Sequence, residues 1–220
     1  MANLFCFIIG TVLGSFWGLL IDRFPHDSIL LPRSHCDNCH QLLAYRDLIP
    51  ILSQILSHSK CRHCQVRIPY WYAGLELLWG CLLLIGWSGY VDLPVFLFYL
   101  ASVGLIGFDL KSHAFPLIIW LVFFIALFLT TPFNLLVFSC LILACLTELY
   151  SLKIGSGDWL YLALMSFSVD FYHLTLCVLL ASVIGIASYL FKCQEKTAEV
   201  PFLPFLFLGY LLTLLLAPFI

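Results

Sequence analysis

A chain of 220 residues in which 63% are hydrophobic and only 10% charged is not an ordinary soluble domain, whose charged fraction runs at about 25%. Its formal net charge of -2 offers no basic field to a nucleic acid, and in so apolar a chain the placement of the charges matters more than their sum. The class these numbers leave is a polytopic membrane protein embedded in lipid.

Apolar runs of roughly 17–25 residues are long enough to cross a bilayer as helix. The first, residues 3–22 in "MANLFCFIIGTVLGSFWGLLIDRFP", has no cation before its apolar stretch, and Arg23 follows it. It therefore reads as a permanent first helix with its amino end outside rather than a secretory signal. A polar segment, residues 23–70, comes next. Seven further apolar runs follow near residues 71–88, 93–109, 114–131, 133–150, 158–170, 172–191 and 201–219. The breaks "WSGYVDLP", "TTPFN" and "KCQEKTAEVP" hold the Gly, Pro, Asn and charged residues expected of turns. No internal repeat or low-complexity linker is evident.

Eight spans and an outside start give an internal test, because Lys and Arg collect on the cytoplasmic side. All ten of these residues, Arg23, Arg33, Arg46, Lys60, Arg62, Arg67, Lys111, Lys153, Lys192 and Lys196, then fall inside. The outer turns carry Asp92 and Asp170. Fusing residues 159–191 into one helix would instead put Lys192 and Lys196 outside. The expected organisation is a first transmembrane helix (1–22), a cytoplasmic Cys-rich loop (23–70) and a membrane core (71–220).

The loop holds "CDNC" at Cys36–Cys39 and "CRHC" at Cys61–Cys64. Two C-x-x-C pairs at this separation match a four-thiolate zinc site, in which a closed tetrahedron staples a loop too small to form its own core. Two disulfides are the competing reading, and a reducing cytosol argues against them. His35, His40 and His63 adjoin the cysteines and read as solvated neighbours. The other six cysteines (Cys6, Cys81, Cys140, Cys145, Cys177, Cys193) stand singly in or beside apolar runs, where a thiol behaves as a small hydrophobe. The fold class expected is all-α: a membrane bundle of about eight helices bearing a small zinc-ribbon-like loop.

Two aspartates fall on the inner face. Asp109, in "GLIGFDLKSH", ends the third span, and Asp158, in "KIGSGDWLYLAL", opens the sixth. Carboxylates near hydrocarbon are costly and usually have a task or a partner. Two close carboxyls can share one proton, so that one activates water while the other polarises a carbonyl. Helix-end fields suggest Asp158 as the base and Asp109 as the group that starts protonated. Gly155 and Gly157 suit close approach of an extended substrate to the backbone. Singly, each aspartate also reads as an interfacial or helix-capping residue. Glu76 and Glu148, near inner helix ends, read as structural.

The segments "GSFWGLLIDRFP" (Gly14–Pro25), "CDNC" and "CRHC" framing "RDLIPILS", "YAGLE" (Tyr72–Glu76), "FDLKSHAFP" (Phe108–Pro116) and "GSGD" together resemble the type IV prepilin peptidases, including those serving competence pseudopili. The resemblance runs nearly end to end. It implies a G-x-G-D aspartic endopeptidase of the bacterial inner membrane, with Asp109 and Asp158 in the catalytic positions and the site facing the cytoplasm. Its substrates would be prepilin-like precursors with a short basic leader, cut ahead of a hydrophobic helix. Methylation of the new N-terminus with S-adenosylmethionine, linked to the loop, is a second activity that the resemblance implies. Departures from the family pattern are Gly18 for a frequent Asn, Leu117 for a frequent Asp, and Trp159–Leu160 where x-Lys is common. They leave the aspartates intact and bear on methyl transfer. The alternatives are a membrane thiol redox enzyme using the C-x-x-C pairs, or a non-catalytic zinc-loop scaffold or proton-coupled transporter.

Overall fold

The computed structural model describes residues 1–25, 28, 33–132, 134–150, 155–191 and 200–216. Of the residues read above, Lys153, Lys192, Lys196 and Cys193 lie outside that set.

Among the described residues the chain is helical: α1 (Ala2–Arg23), α2 (Leu52–Leu56), α3 (Trp71–Ser88), α4 (Leu93–Ser112), α5 (Leu117–Thr130), α6 (Leu135–Leu149), α7 (Ser156–Met165), α8 (Phe171–Phe191) and α9 (Leu203–Leu216). Every expected apolar run is a helix, and α2 is a short helix inside the polar loop. Four helices, α1, α3, α4 and α8, are long and apolar enough to cross a membrane, while α5, α6 and α9 are shorter apolar helices. The break after residue 165 separates α7 from α8, so residues 159–191 are not one helix. With 10 residues, α7 is about 15 Å long, half of a hydrocarbon core.

Contacts divide the chain into two compact units, Met1–Asp92 and Leu93–Ile220. In the first, α3 packs along α1 and groups with it and the loop. The seam is made of small residues. A Cβ on Gly10 would lie 2.6 Å from the Trp79 carbonyl oxygen, and one on Gly14 would lie 2.7 Å from the Glu76 Cα. In lipid, where water does not drive helices together, such close backbone approach supplies the packing.

The second unit has a continuous apolar core that includes Phe98, Leu105, Leu127, Tyr161, Met165, Leu206 and Tyr210. Polar contacts register its helices. Asn134 caps α6 by accepting from the Val137 amide (2.9 Å), and its amide nitrogen donates to the Ser166 carbonyl (2.8 Å). It thereby satisfies a terminal carbonyl of the short α7. At the opposite end, Ser156 donates to Glu148 (2.6 Å), joining the end of α6 to the start of α7.

Candidate active site and metal centre

Asp109 lies in the last turn of α4 and Asp158 in the first turn of α7. Three features place these two carboxyls.

The first is a buried hydrogen bond. The Tyr161 hydroxyl donates to Ser102 Oγ (2.8 Å), which donates to the Phe98 carbonyl (2.7 Å). Tyr161 is three residues after Asp158 and Ser102 is seven before Asp109. These are about one and two helical turns, so each polar group lies on the face of its aspartate. Both hydroxyls are fully buried and would be costly to leave unpaired.

The second is Gly157. A Cβ there would lie 3.0 Å from Cγ and Cδ2 of Phe115. The chain leaves α4 through a left-handed His113 (φ 49°) and carries the Phe115 ring onto this glycine before Pro116 caps α5. Gly157 is thus where the segment after Asp109 closes on the segment before Asp158. Gly155 is exposed, and a Cβ there would meet the Asp158 carboxyl at 3.5 Å.

The third is the start of α9. Asp109 Oδ2 accepts from the Leu203 amide at 3.0 Å. Asp158 thus sits at the positive end of α7, while Asp109 lies between the negative end of α4 and the positive end of α9, whose fields oppose one another there. Sequence reasoning overlooked Phe115, Leu203 and the Ser102–Tyr161 pair. The pair had a signal, since polar residues sit at helical spacing from each aspartate. Leu203 had only Pro201 and Pro204, which mark a helix start.

In the first unit, the Sγ atoms of Cys36, Cys39, Cys61 and Cys64 lie within 4.8 Å of one another, and these cysteines form no disulfide. Cys36–Cys64 and Cys39–Cys61 are 3.7 and 3.9 Å apart. Four thiolates about 2.3 Å from a zinc ion would have tetrahedral edges of about 3.8 Å, so the donor set fits that metal. The Asn38 side chain, with the Val66 amide, draws the Cys64 thiol down to about 6. The Gln41 amide pulls Cys39 down, but burial and the three neighbouring sulfurs outweigh it and push this thiol up to about 11.

The two knuckles repeat with an offset of 25 residues, a relation the sequence reading did not detect. Cys36 donates to the Gln41 carbonyl (3.1 Å) as Cys61 does to Val66 (2.9 Å), and the amides of His40 and Gln65 bond back to Cys36 and Cys61. Leu43 to Ser34 and Ile68 to Ser59 close the pair, and His40 and Gln65 share a left-handed backbone (φ 55° and 60°). His35, His40 and His63 are not part of the sulfur cluster. Glu76 accepts from the Ile51 amide (2.7 Å) and so ties the loop to α3. Gly18 faces the ring of Tyr72, which would meet a Cβ there at 3.3 Å and whose hydroxyl bonds Asp22.

A family model described as the bacterial peptidase A24 N-terminal domain matches residues 8–89. A prepilin leader peptidase/N-methyltransferase of Bacillus subtilis is 31% identical over 95% of this chain and 92% of its own length. A type 4 prepilin-like proteins leader peptide-processing enzyme of Escherichia coli O78:H11 is 27% identical over 94% of this chain and 91% of its own. A prepilin leader peptidase/N-methyltransferase of Myxococcus xanthus is 38% identical over 51% of this chain, a match that spans 35% of that relative. No solved structure matches.

Proposed function

The chain belongs to the prepilin leader peptidase/N-methyltransferase family, and on that premise we propose that it is a membrane aspartic endopeptidase. It removes the short leader from type IV prepilin-like precursors, those of competence pseudopili among them, at the cytoplasmic face of the bacterial inner membrane. The observation that carries this reading is that the helix ends bearing Asp109 and Asp158 are joined by the Tyr161–Ser102 hydrogen bond and by the seat of Phe115 on Gly157.

The chemistry follows from two carboxyls holding one proton. The ionised carboxyl takes a proton from water as the water oxygen bonds to the scissile carbonyl carbon. The protonated one hydrogen-bonds the carbonyl oxygen and stabilises the charge that develops there. Collapse of the tetrahedral adduct breaks the C–N bond, and the amine leaves with a proton from a carboxyl. Gly155, exposed beside Asp158, is backbone against which an extended substrate can lie, and Gly157 holds the same turn close. The Cys36, Cys39, Cys61 and Cys64 cluster is a structural zinc site that fixes the loop fold.

Thiol redox chemistry at the C-x-x-C pairs is disfavoured, because all four sulfurs share one cluster rather than forming two exchangeable disulfides. The relatives' names also carry methyl transfer, which would draw its methyl group from S-adenosylmethionine.

Co-expression with a candidate prepilin, followed by mass spectrometry of that precursor, tests the reading. The expected product lacks the leader, and a product one methyl group heavier would reveal the second activity. Asp109→Asn or Asp158→Asn should leave the precursor whole while the protein still inserts. Normal processing by both variants would end the proposal.

A further inference from the structure

The amide on Asp109 comes from an element that the two-aspartate scheme does not include. α9 begins at Leu203, 94 residues beyond Asp109, and its first amide donates to Oδ2 at 3.0 Å. Leu203 is buried, only 3% exposed, so water does not compete freely for this bond. Helix α9 is itself anchored in the core through Leu206 and Tyr210, and a Cβ on its Gly209 would run into the backbone of α8 at Cys177 and Ala181. The bond therefore joins Asp109 to a fixed body, not to a loose strand end.

We propose that the N-terminus of α9 is a positioning element of the active site: its first amide holds Asp109 through Oδ2 and leaves Oδ1 as the oxygen turned to water and to Asp158. A carboxyl at the end of a helix has two rotatable bonds, and a donor on one oxygen removes most of that freedom. The same bond satisfies an amide of α9 that has no partner within its own helix. Each side thus stabilises the other. This inference deepens the aspartic peptidase reading and rests on it for its catalytic part, while the mutual stabilisation stands without it.

Leu203→Pro deletes the donor at the helix position where proline is best tolerated, and Leu203→Ile keeps both the donor and the apolar bulk. Leader cleavage by the purified protein should fall roughly 10- to 100-fold in kcat for Leu203→Pro, as expected of a misplaced reacting group. KM should hold within about twofold, and Leu203→Ile should cleave normally. A second arm uses no proline and no activity. Hydrogen exchange at the Leu203 amide should speed by about tenfold or more in Asp109→Ala, with the Leu206 and Tyr210 amides unchanged. Unchanged exchange at Leu203 overturns the proposal even if Leu203→Pro fails to insert. Altered exchange in a protein that cuts no precursor would sustain the bond and remove the peptidase reading instead.

Discussion

At Gly157 a single missing methyl group sets how closely the two acidic segments approach. An alanine there would place its Cβ 3.0 Å from the Phe115 ring, and accommodating such a clash costs about 1–3 kcal/mol. The strain falls between the two aspartates, so we expect Gly157→Ala to lower leader cleavage by roughly 10- to 100-fold with a smaller effect on thermal stability. Adding Phe115→Leu removes the ring that the new methyl meets and should recover part of the rate. A double variant no faster than Gly157→Ala alone would show that the glycine is needed for something other than this contact. The sequence made Asp109, Asp158 and both glycines legible, since charge and glycine are conspicuous in an apolar run. It hid Phe115 and Leu203, because an aromatic ring and a backbone amide in apolar surroundings carry no compositional signal.

At the scale of elements, the apolar runs were legible because a bilayer sets both their length and their polarity. Their ends were less so: the sixth run was expected over residues 158–170, whereas α7 covers Ser156–Met165. The capping partner that ends it, Asn134, lies on another helix, where local sequence gives no hint. The knuckle repeat escaped for a related reason. Across the 25-residue offset, Ser34 and Ser59 match and so do the cysteines, while the rest of the likeness resides in backbone hydrogen bonds. Two such knuckles contribute equally to one tetrahedron. Cys36→Ser and Cys61→Ser should therefore have the same consequence, each abolishing bound zinc. Structural zinc contributes roughly 10–16 kcal/mol to folding in small domains, so loss of one ligand should unfold the loop. Limited proteolysis should then cut within residues 33–70 while α1 and α3, held by their glycine seam, survive intact. If only one of the two cysteine variants lost the metal, the knuckles would not be equivalent partners.

For the whole molecule, the proposed orientation rests on charge. Seven of the ten cations lie among the described residues, and all seven sit in the segments assigned to the inside: Arg23, Arg33, Arg46, Lys60, Arg62, Arg67 and Lys111. Moving one such charge to the trans side of a membrane is unfavourable, and the bias accumulates over short loops. Free cysteines placed for a metal suit a reducing compartment, and on the proposed function the leader would be met on that same side. Reporter fusions ending after residues 70 and 113 should fluoresce as green fluorescent protein and lack alkaline phosphatase activity. Fusions ending after residues 91 and 168 should do the reverse. The decisive site is residue 168, because α7 is too short to cross a full hydrocarbon core by itself. Phosphatase activity there means that the turn between α7 and α8 reaches the outer surface through a locally thin or water-filled region. Fluorescence there would make α7 a re-entrant helix and, with α8 still crossing, would put the start of α9 on the side opposite Asp109, an arrangement the Leu203–Asp109 hydrogen bond forbids.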